Sequence, residues 1–542
     1  MMNFEWAEDW FCACIPAFSC LLEGAERVAN GENRKDGEDR EGRKDGKQTE
    51  FAAMWNAMSQ LALSCAQMPQ LVQNGCLDYL ENMRYQFAYQ AMGQAGGFGA
   101  AVWKASILEL REAMYFWGCV AGNEERQKAY WENEFVPHHC RLRQNPNADV
   151  TIFVPAYGQL AYTKQCIKSI LEHTDLQNCE LLLCDHGSED ETYDYFCSVP
   201  QAHVVRLPKN VRMGIFSFAF RLCGGKQFAF VSNDTIVTKD WLPHLQACLQ
   251  AKKDALSATP ITPYTSNLQA LTITQAESAN DFAQNWYTQH QGEWKHRARI
   301  MPVIALYNVA KLEALGFADR YFQTMEFWDD DVSLRCRRKG WKQYLCQDVY
   351  CHHFGSVTGS SAWAQTLAQG RDLFFKKHGV DAWGQGACMA AGMAALLPLL
   401  HFQNNHKKQK RQKRQATVLA VQSGFGDGMF ALADTLQAQE IEPLLYSITE
   451  AVYLKDVLPF VTGIAVLEQV TANGCAGVFS QKRFDVIFVE GNIHMAWQER
   501  LAEGGYILAE LALQHLFVDT DCKEIATAQG WGLWQKQTQN DT

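Results

Sequence analysis

The chain has 542 residues, 47% hydrophobic and 20% charged, which supports packed cores over several domains and excludes global disorder. Its 49 basic and 60 acidic residues leave a formal charge of −11, the wrong sign for coating nucleic acid, so no nucleic-acid partner is expected. Its 19 cysteines are odd in number and form no CxxC pair, which suits small hydrophobes in a reducing compartment rather than a disulfide scaffold. No basic leader and no run near the roughly 20 apolar residues of a bilayer span is present, so the protein is read as cytoplasmic.

Residues 1–29, rich in Trp, Phe and Cys, predict an apolar helix or docking segment. Residues 30–50 mix acids, bases and glycine without a large apolar side chain until Phe51, and are read as a disordered linker, because little buried surface offsets the chain entropy. From Phe51 the period turns helical. Met54, Met58, Leu61, Cys65 and Met68 share one face; Leu77, Leu80, Met83 and Phe87 form a second, and Trp103, Ile107, Leu110, Met114 and Trp117 a third. Residues 51–145 are therefore expected to be a helical domain whose aromatic and methionine stripe is core or a self-association surface.

A strand pattern begins at Val150 and opens an α/β domain expected over 149–380. Buried strands are predicted at 150–154, 180–184, 203–207 and 227–231, alternating with helices, which implies parallel pairing and right-handed crossovers. Ligands of such sheets sit beyond the carboxyl ends of the strands. The unusual residues fall there: Pro155-Ala156-Tyr157-Gly158, Asp185-His186-Gly187-Ser188 and Ser232-Asn233-Asp234-Thr235. Two further clusters come later, Asp329-Asp330-Asp331 with Arg335, and His352-His353. Each alone reads equally as a turn, a cap, or the solvated first turn of a helix.

Taken in order, these motifs resemble the family-2 glycosyltransferases of the GT-A fold over residues 150 to about 360. VTIFVPAYGQLAYTKQCIKSIL is similar to that family's first strand, loop and helix, CDHGSEDET to its VDDGSTDGT, and the run through FVSNDTIVTKDWL to its metal motif. FWDDDVSLRCRRKGWK resembles its acceptor-side stretch, in which a carboxylate precedes a D-x-x-x-R helix. The resemblance implies a nucleotide-diphosphate sugar donor, bound by Pro155, Tyr157, Asp185, Asn233 and Asp234. It also implies a divalent cation, Mn²⁺ or Mg²⁺, held by Asp234 with His353 or His352. Asn233 stands where many members carry a second Asp. By the same resemblance Asp329 aligns with the base that deprotonates the acceptor hydroxyl in an inverting transfer. Trp328 occupies the family's Glu position, which leaves Asp330 as a second candidate, and retention stays open. The acceptor expected is a saccharide, glycoprotein or glycolipid.

Residues 381–415 combine the apolar stretch ACMAAGMAALLPLLHF with a basic run, Lys407, Lys408, Lys410, Arg411, Lys413 and Arg414. They read as a packing helix with a solvated linker, or as a peripheral contact of 387–414 with an anionic membrane. From residue 416 a second α/β pattern follows, with strands predicted at 417–421, 443–446, 464–467, 484–489 and 506–508. Its GFGDG, FDVIFVEG and LAEGGYIL resemble the class I methyltransferase fold, which would imply S-adenosylmethionine, although Tyr446-Ser447 stands where an acidic ribose ligand is usual. The fold class expected is thus α/β: a central GT-A fold, an N-terminal helical region and a C-terminal Rossmann-like domain. Two rivals remain at this stage: a nucleotidyltransferase, and a non-catalytic sugar-nucleotide-binding module.

Overall fold

The computed structural model describes residues 4–32, 42–92, 98–271, 278–355, 363–379, 391–402, 414–421, 427–448, 465–470, 482–490, 497–516 and 521–537. The chain divides into two compact units, the first taking in Met1–Asp240 and Val303–Met325, the second Trp241–Pro302, Glu326–Gly355 and Ser361–Thr542.

The first unit opens with helices α1 (Phe4–Glu32), α2 (Gly42–Ala66), α3 (Pro69–Gln73), α4 (Cys76–Ala91) and α5 (Gly99–Tyr115), then the short α6 (Glu124–Ala129) and α7 (Phe135–His138). The predicted faces are buried at Met54, Met58, Leu61, Cys65 and Met68, at Leu80, Met83 and Phe87, and at Trp103, Ile107, Leu110 and Met114. Helix α1 takes up the apolar segment, and Trp10, Phe11, Cys14, Phe18, Leu21 and Ala25 bury a stripe along it. One expectation changes. Residues 42–50, expected in the linker, form the first turns of α2. Arg, Lys, Gln and Glu propagate a helix well once the apolar face from Met54 anchors it. The rest of that linker, 33–41, lies outside the described residues.

The same unit then winds through β1 (Val150–Ala156), α8 (Leu160–His173), β2 (Cys179–Asp185), α9 (Thr192–Cys197), β3 (Ala202–Arg206), α10 (Gly214–Leu222), β4 (Gln227–Val231) and the short β5 (Thr235–Ile236). It also contains β8 (Ile304–Asn308) and α13 (Val309–Leu315). The strand order is β3-β2-β1-β4-β8, the first four parallel and β8 antiparallel to β4. Pro155 does not close β1 as expected; the strand runs on to Ala156, with Pro155 opposite Cys184. A proline is tolerated so near a strand end because few ladder bonds lie beyond it.

Helices α5 and α10 of this unit meet around a buried charge cluster. Arg221 Nε of α10 lies 2.7 Å from Glu109 Oε1 of α5, and its guanidinium also pairs with Glu112. Arg320 NH2 reaches Glu109 Oε2 at 3.1 Å and Glu112 Oε2 at 3.0 Å, and Ser217 Oγ donates to Glu109 Oε2 at 2.8 Å. Burial pushes the Glu109 carboxyl up, but the two guanidiniums outweigh it and hold the group below its ordinary range.

The second unit contains α11 (Trp241–Ala251), β6 (Ala255–Ile261), α12 (Ala279–His290), β7 (Trp294–Arg297), α14 (Trp328–Arg338), β9 (Lys342–Tyr350), β10 (His352–His353) and α15 (Trp363–His378). Strand β9 pairs parallel with β6 and antiparallel with β7. After α16 (Ala391–Leu396) comes a seven-stranded sheet of β11 (Arg414–Val421), β12 (Ile441–Ile448), β13 (Ala465–Val470), β14 (Phe484–Val489), β15 (Leu501–Glu510), β16 (Cys522–Ala528) and β17 (Trp531–Lys536), with α17 (Asp427–Ala438) after β11. Its order is β13-β12-β11-β14-β15-β17-β16, parallel except that β17 runs against both of its neighbours. This is a largely parallel C-terminal sheet, in keeping with the second α/β pattern expected from the sequence. Gly504 and Gly505 lie inside β15 rather than ahead of it, at a register shift against β14. Residues 403–413, which carry most of the basic run, and 422–426 of GFGDG lie outside the described residues; Arg414 begins β11. Among the described residues no helix is long and apolar enough to cross a membrane.

Removing one member of a buried ion-pair cluster leaves its partners charged and desolvated, which costs about 3–5 kcal/mol. Glu109→Ala is therefore expected to lower unfolding stability by that amount in urea denaturation, and an unmoved midpoint would show that the cluster does not hold α5 to α10.

Candidate active site

The carboxyl ends of three parallel strands align in one row. Ala156 of β1 sits opposite Asp185 of β2, and Asp185 opposite Arg206 of β3. The loops that follow are laced by side chains. Gly158 N donates to Ser188 Oγ at 2.7 Å, and Leu160 N to Asp190 Oδ2 at 3.2 Å. From the loop after β4, Asn233 Nδ2 donates to Thr163 Oγ1 at 2.9 Å and Gly158 O at 3.4 Å. Gly187 is needed here on two grounds: its φ is +100°, and a Cβ would lie 3.0 Å from Asn210 N.

Asp185 is fully buried. Its Oδ1 accepts from Ser188 N at 3.1 Å, while Oδ2 lies 3.6 Å from Arg206 Nε. Neither Asp185 Oδ2 nor Arg206 Nε makes a hydrogen bond, although both atoms are buried. Burial raises the Asp185 carboxyl, against the lowering effect of Ser188 and Arg206. His186, also buried, bonds Asn210 Oδ1 through Nδ1 at 3.2 Å, and burial pushes its pKa down to about 4, so the ring is neutral. Pro155 lies one residue inside the row, opposite Cys184, and Tyr157, 51% exposed, follows the strand end. Asp234 is nearly buried and accepts from Ser232 Oγ at 2.6 Å.

The structure thus brings Pro155, Tyr157, Asp185, Asn233 and Asp234 to the strand ends of the first unit; Asp329, Asp330, His352 and His353 belong to the second. There the three acids of α14 have three different environments. Asp330 is ion-paired with Arg299, both side chains 6% exposed. Asp331 is fully buried and bound by Arg335 NH2 at 2.8 Å, Lys377 Nζ at 2.6 Å and His378 Nε2 at 2.8 Å. Burial would raise its pKa, but these partners hold it well below the ordinary range. Burial keeps His378 neutral, at about 4, and Arg338 donates to its Nδ1 at 3.2 Å, so Nε2 carries the proton toward Asp331. Asp329 makes no ion pair among the described residues, and burial, reinforced by the charge of Asp330, pushes its carboxyl up to about 8. Phe327, ahead of the helix, has φ +66°, a strained value for a bulky residue.

Of the two histidines, His353 is the buried one and places Nδ1 3.2 Å from Pro263 O, which fixes the proton on Nδ1 and the lone pair on Nε2. His352 is half-buried and bonds Tyr350 through Nδ1 at 3.3 Å. That tautomer suits a metal ligand, yet among the described residues no group of three or more His, Cys, Asp or Glu is gathered to hold a metal ion. Sequence reasoning missed Arg206, and it named His186 and Ser188 only as part of a loop motif. The signal for Arg206 was its place at the end of the third strand, level with Asp185.

Residues 151–314 match the model of glycosyl transferase family 2. The central α/β fold is accordingly of the GT-A kind. Part of the chain is similar to chondroitin synthase of Escherichia coli, 29% identical over 123 residues, which is 22% of this chain and 17% of that protein. The match therefore spans about a sixth of the relative's length. Solved structures with similarity include GalNAc-T7 with UDP, GalNAc and Mn²⁺ (12% identity, 42% of this chain and 48% of that one, TM-score 0.33). Another is the mannosyltransferase PcManGT of Pyrobaculum calidifontis with GDP-Man and Mn²⁺ (17% identity, 52% and 73%, TM-score 0.32). A third is S. aureus TarS (14% identity, 42% and 72%, TM-score 0.30). Asp329 and Asp330 lie just beyond the family-2 match.

Asp331 has a depressed pKa, so its contribution to stability is complete above the unfolded value of about 3.9 and declines as pH falls through that value toward the folded one. Asp331→Asn should therefore lose stability at pH 7 and show a shallower acid limb in pH-dependent unfolding; a limb parallel to that of the unchanged protein would rule the anchor out.

Proposed function

We propose that the chain is a glycosyltransferase moving a sugar from a nucleotide-diphosphate donor to an acceptor hydroxyl with inversion. The observation that carries this reading is the pair of buried, unbonded atoms at the strand row, Asp185 Oδ2 as acceptor and Arg206 Nε as donor, 3.6 Å apart. A nucleobase edge that offers one N–H and one carbonyl would satisfy both. Tyr157 and Pro155 belong to the donor loop in this reading, and Asn233 acts by tying that loop to the loop after β4.

Asp329 serves as the base, since Asp330 and Asp331 are already committed to cations. Its carboxylate takes the acceptor's hydroxyl proton as that oxygen attacks the anomeric carbon, and the bond to the diphosphate breaks. A carboxyl raised toward neutrality is better matched to that proton transfer than an ordinary one. Mn²⁺ or Mg²⁺ is part of the proposal. Asp234 would contribute a carboxylate to the cation, which would offset charge on the leaving diphosphate. The acceptor proposed is a saccharide or a glycoprotein or glycolipid precursor. No methyl-donor role is assigned to the C-terminal sheet, because the turn after β11 that would hold it lies outside the described residues.

Nucleotide release from a panel of nucleotide sugars and saccharide acceptors tests the reading. Asp329→Asn is expected to reduce kcat by about 10²–10⁴ while leaving donor affinity nearly unchanged. Equal loss of both would overturn the base assignment. Because the base must be deprotonated, kcat/KM should climb as pH rises through about 8 and level off above it. The anomeric configuration of the product, read by NMR, decides between inversion and retention.

A further inference from the structure

Helix α4 does more than pack. Tyr79, Asn82 and Gln86 lie on one of its faces and hold the backbone that follows β3. Gln86 Nε2 donates to Arg206 O at 2.6 Å, and Asn82 Nδ2 donates to Lys209 O at 3.1 Å while its Oδ1 accepts from Lys209 N at 2.9 Å. Tyr79 OH donates to Val211 O at 3.4 Å. The approach is so close that a Cβ on Gly214 would lie 1.9 Å from the Tyr79 hydroxyl. The segment is also bound to the strand row, since Asn210 Oδ1 accepts from Arg212 N at 2.8 Å and faces His186 Nδ1. Arg212 is held at φ +48°.

Between the turn preceding α4 and this segment lies a cavity of about 290 Å³, lined among others by Asn74, Asp78, Tyr79, Tyr157, Arg212 and Gln323. Tyr79 is buried in its floor, and Tyr157 and Arg212 are exposed at its mouth. Gln323 Nε2 donates to Asn74 O at 3.2 Å and joins the two walls. The Asp78 carboxylate has no hydrogen-bond or ion-pair partner among the described residues, although it is half-buried. A carboxylate, amides and an exposed aromatic face are the groups that recognise a polyol ring, and a guanidinium at the mouth suits a phosphate.

We propose that this cavity binds a hydroxyl-bearing ring of the nucleotide-sugar donor, with Asp78 accepting from ring hydroxyls and Arg212 facing the phosphates. This rests on the glycosyltransferase reading and extends it, since the N-terminal helices then supply part of donor recognition. Burial raises the Asp78 carboxyl more than Lys209 and Arg212 lower it, so neutralising the residue should not weaken the fold.

The test is binding of UDP-glucose, UDP-N-acetylglucosamine, UDP-N-acetylgalactosamine, UDP-glucuronate and GDP-mannose, with Mn²⁺, to the full-length protein, Asp78→Asn, Asp78→Ala and Asp185→Asn. Loss of a hydrogen bond to a charged group should weaken binding of the accepted donor about tenfold or more in Asp78→Ala, with an unchanged or raised Tm. Unchanged affinity in both Asp78 variants, with binding lost in Asp185→Asn, would overturn the cavity assignment and leave the donor reading standing. Weakened binding with a lowered Tm in both variants would make Asp78 structural, which also overturns it. If the unaltered protein binds none of the sugars, the glycosyltransferase reading fails and takes this proposal with it.

Discussion

Two glutamates of α5 buried against Arg221 and Arg320 are the constraint on which the first unit depends. Four charges removed from water are tolerated only when each is paired and hydrogen-bonded, and this cluster meets that condition with Ser217 and backbone carbonyls. It sets α5 against α10 and, through α4, brings the helices onto the segment after β3. The helical region is therefore part of the unit that carries the loops after β1, β2 and β4.

The same logic of pairing separates three adjacent aspartates. On a helix, successive residues point about 100° apart, so Asp329, Asp330 and Asp331 cannot share surroundings. Arg299 takes one, while Arg335, Lys377 and His378 take another. The remaining carboxyl is desolvated without a cation of its own, and that is why its proton affinity rises.

Much of the candidate site was legible in the chain. Short continuous apolar runs placed β1, β2 and β4 to within two residues, and parallel winding put Asp185 and Asp234 at strand ends. The third strand was displaced by one residue, and residues 42–50 were misread because composition gauges burial and not the helix that a neighbouring apolar face can propagate. The partners were not legible. Nothing local says that Asn233 would bond Thr163, or that His353 and not His352 would be the buried histidine with a carbonyl behind its ring.

The amino-acid order by itself determined the elements, their parallel winding and the residue types at the loops, because these follow from side-chain period and turn chemistry over short spans. Tertiary structure alone decided which charges are neutralised. Glu109 meets Arg320 across 211 positions and Asp331 meets His378 across 47, separations at which no local rule selects a partner. It also decided that Asp185 and Arg206 would lie side by side with one acceptor and one donor unmet, since only the register of β2 on β3 sets that row.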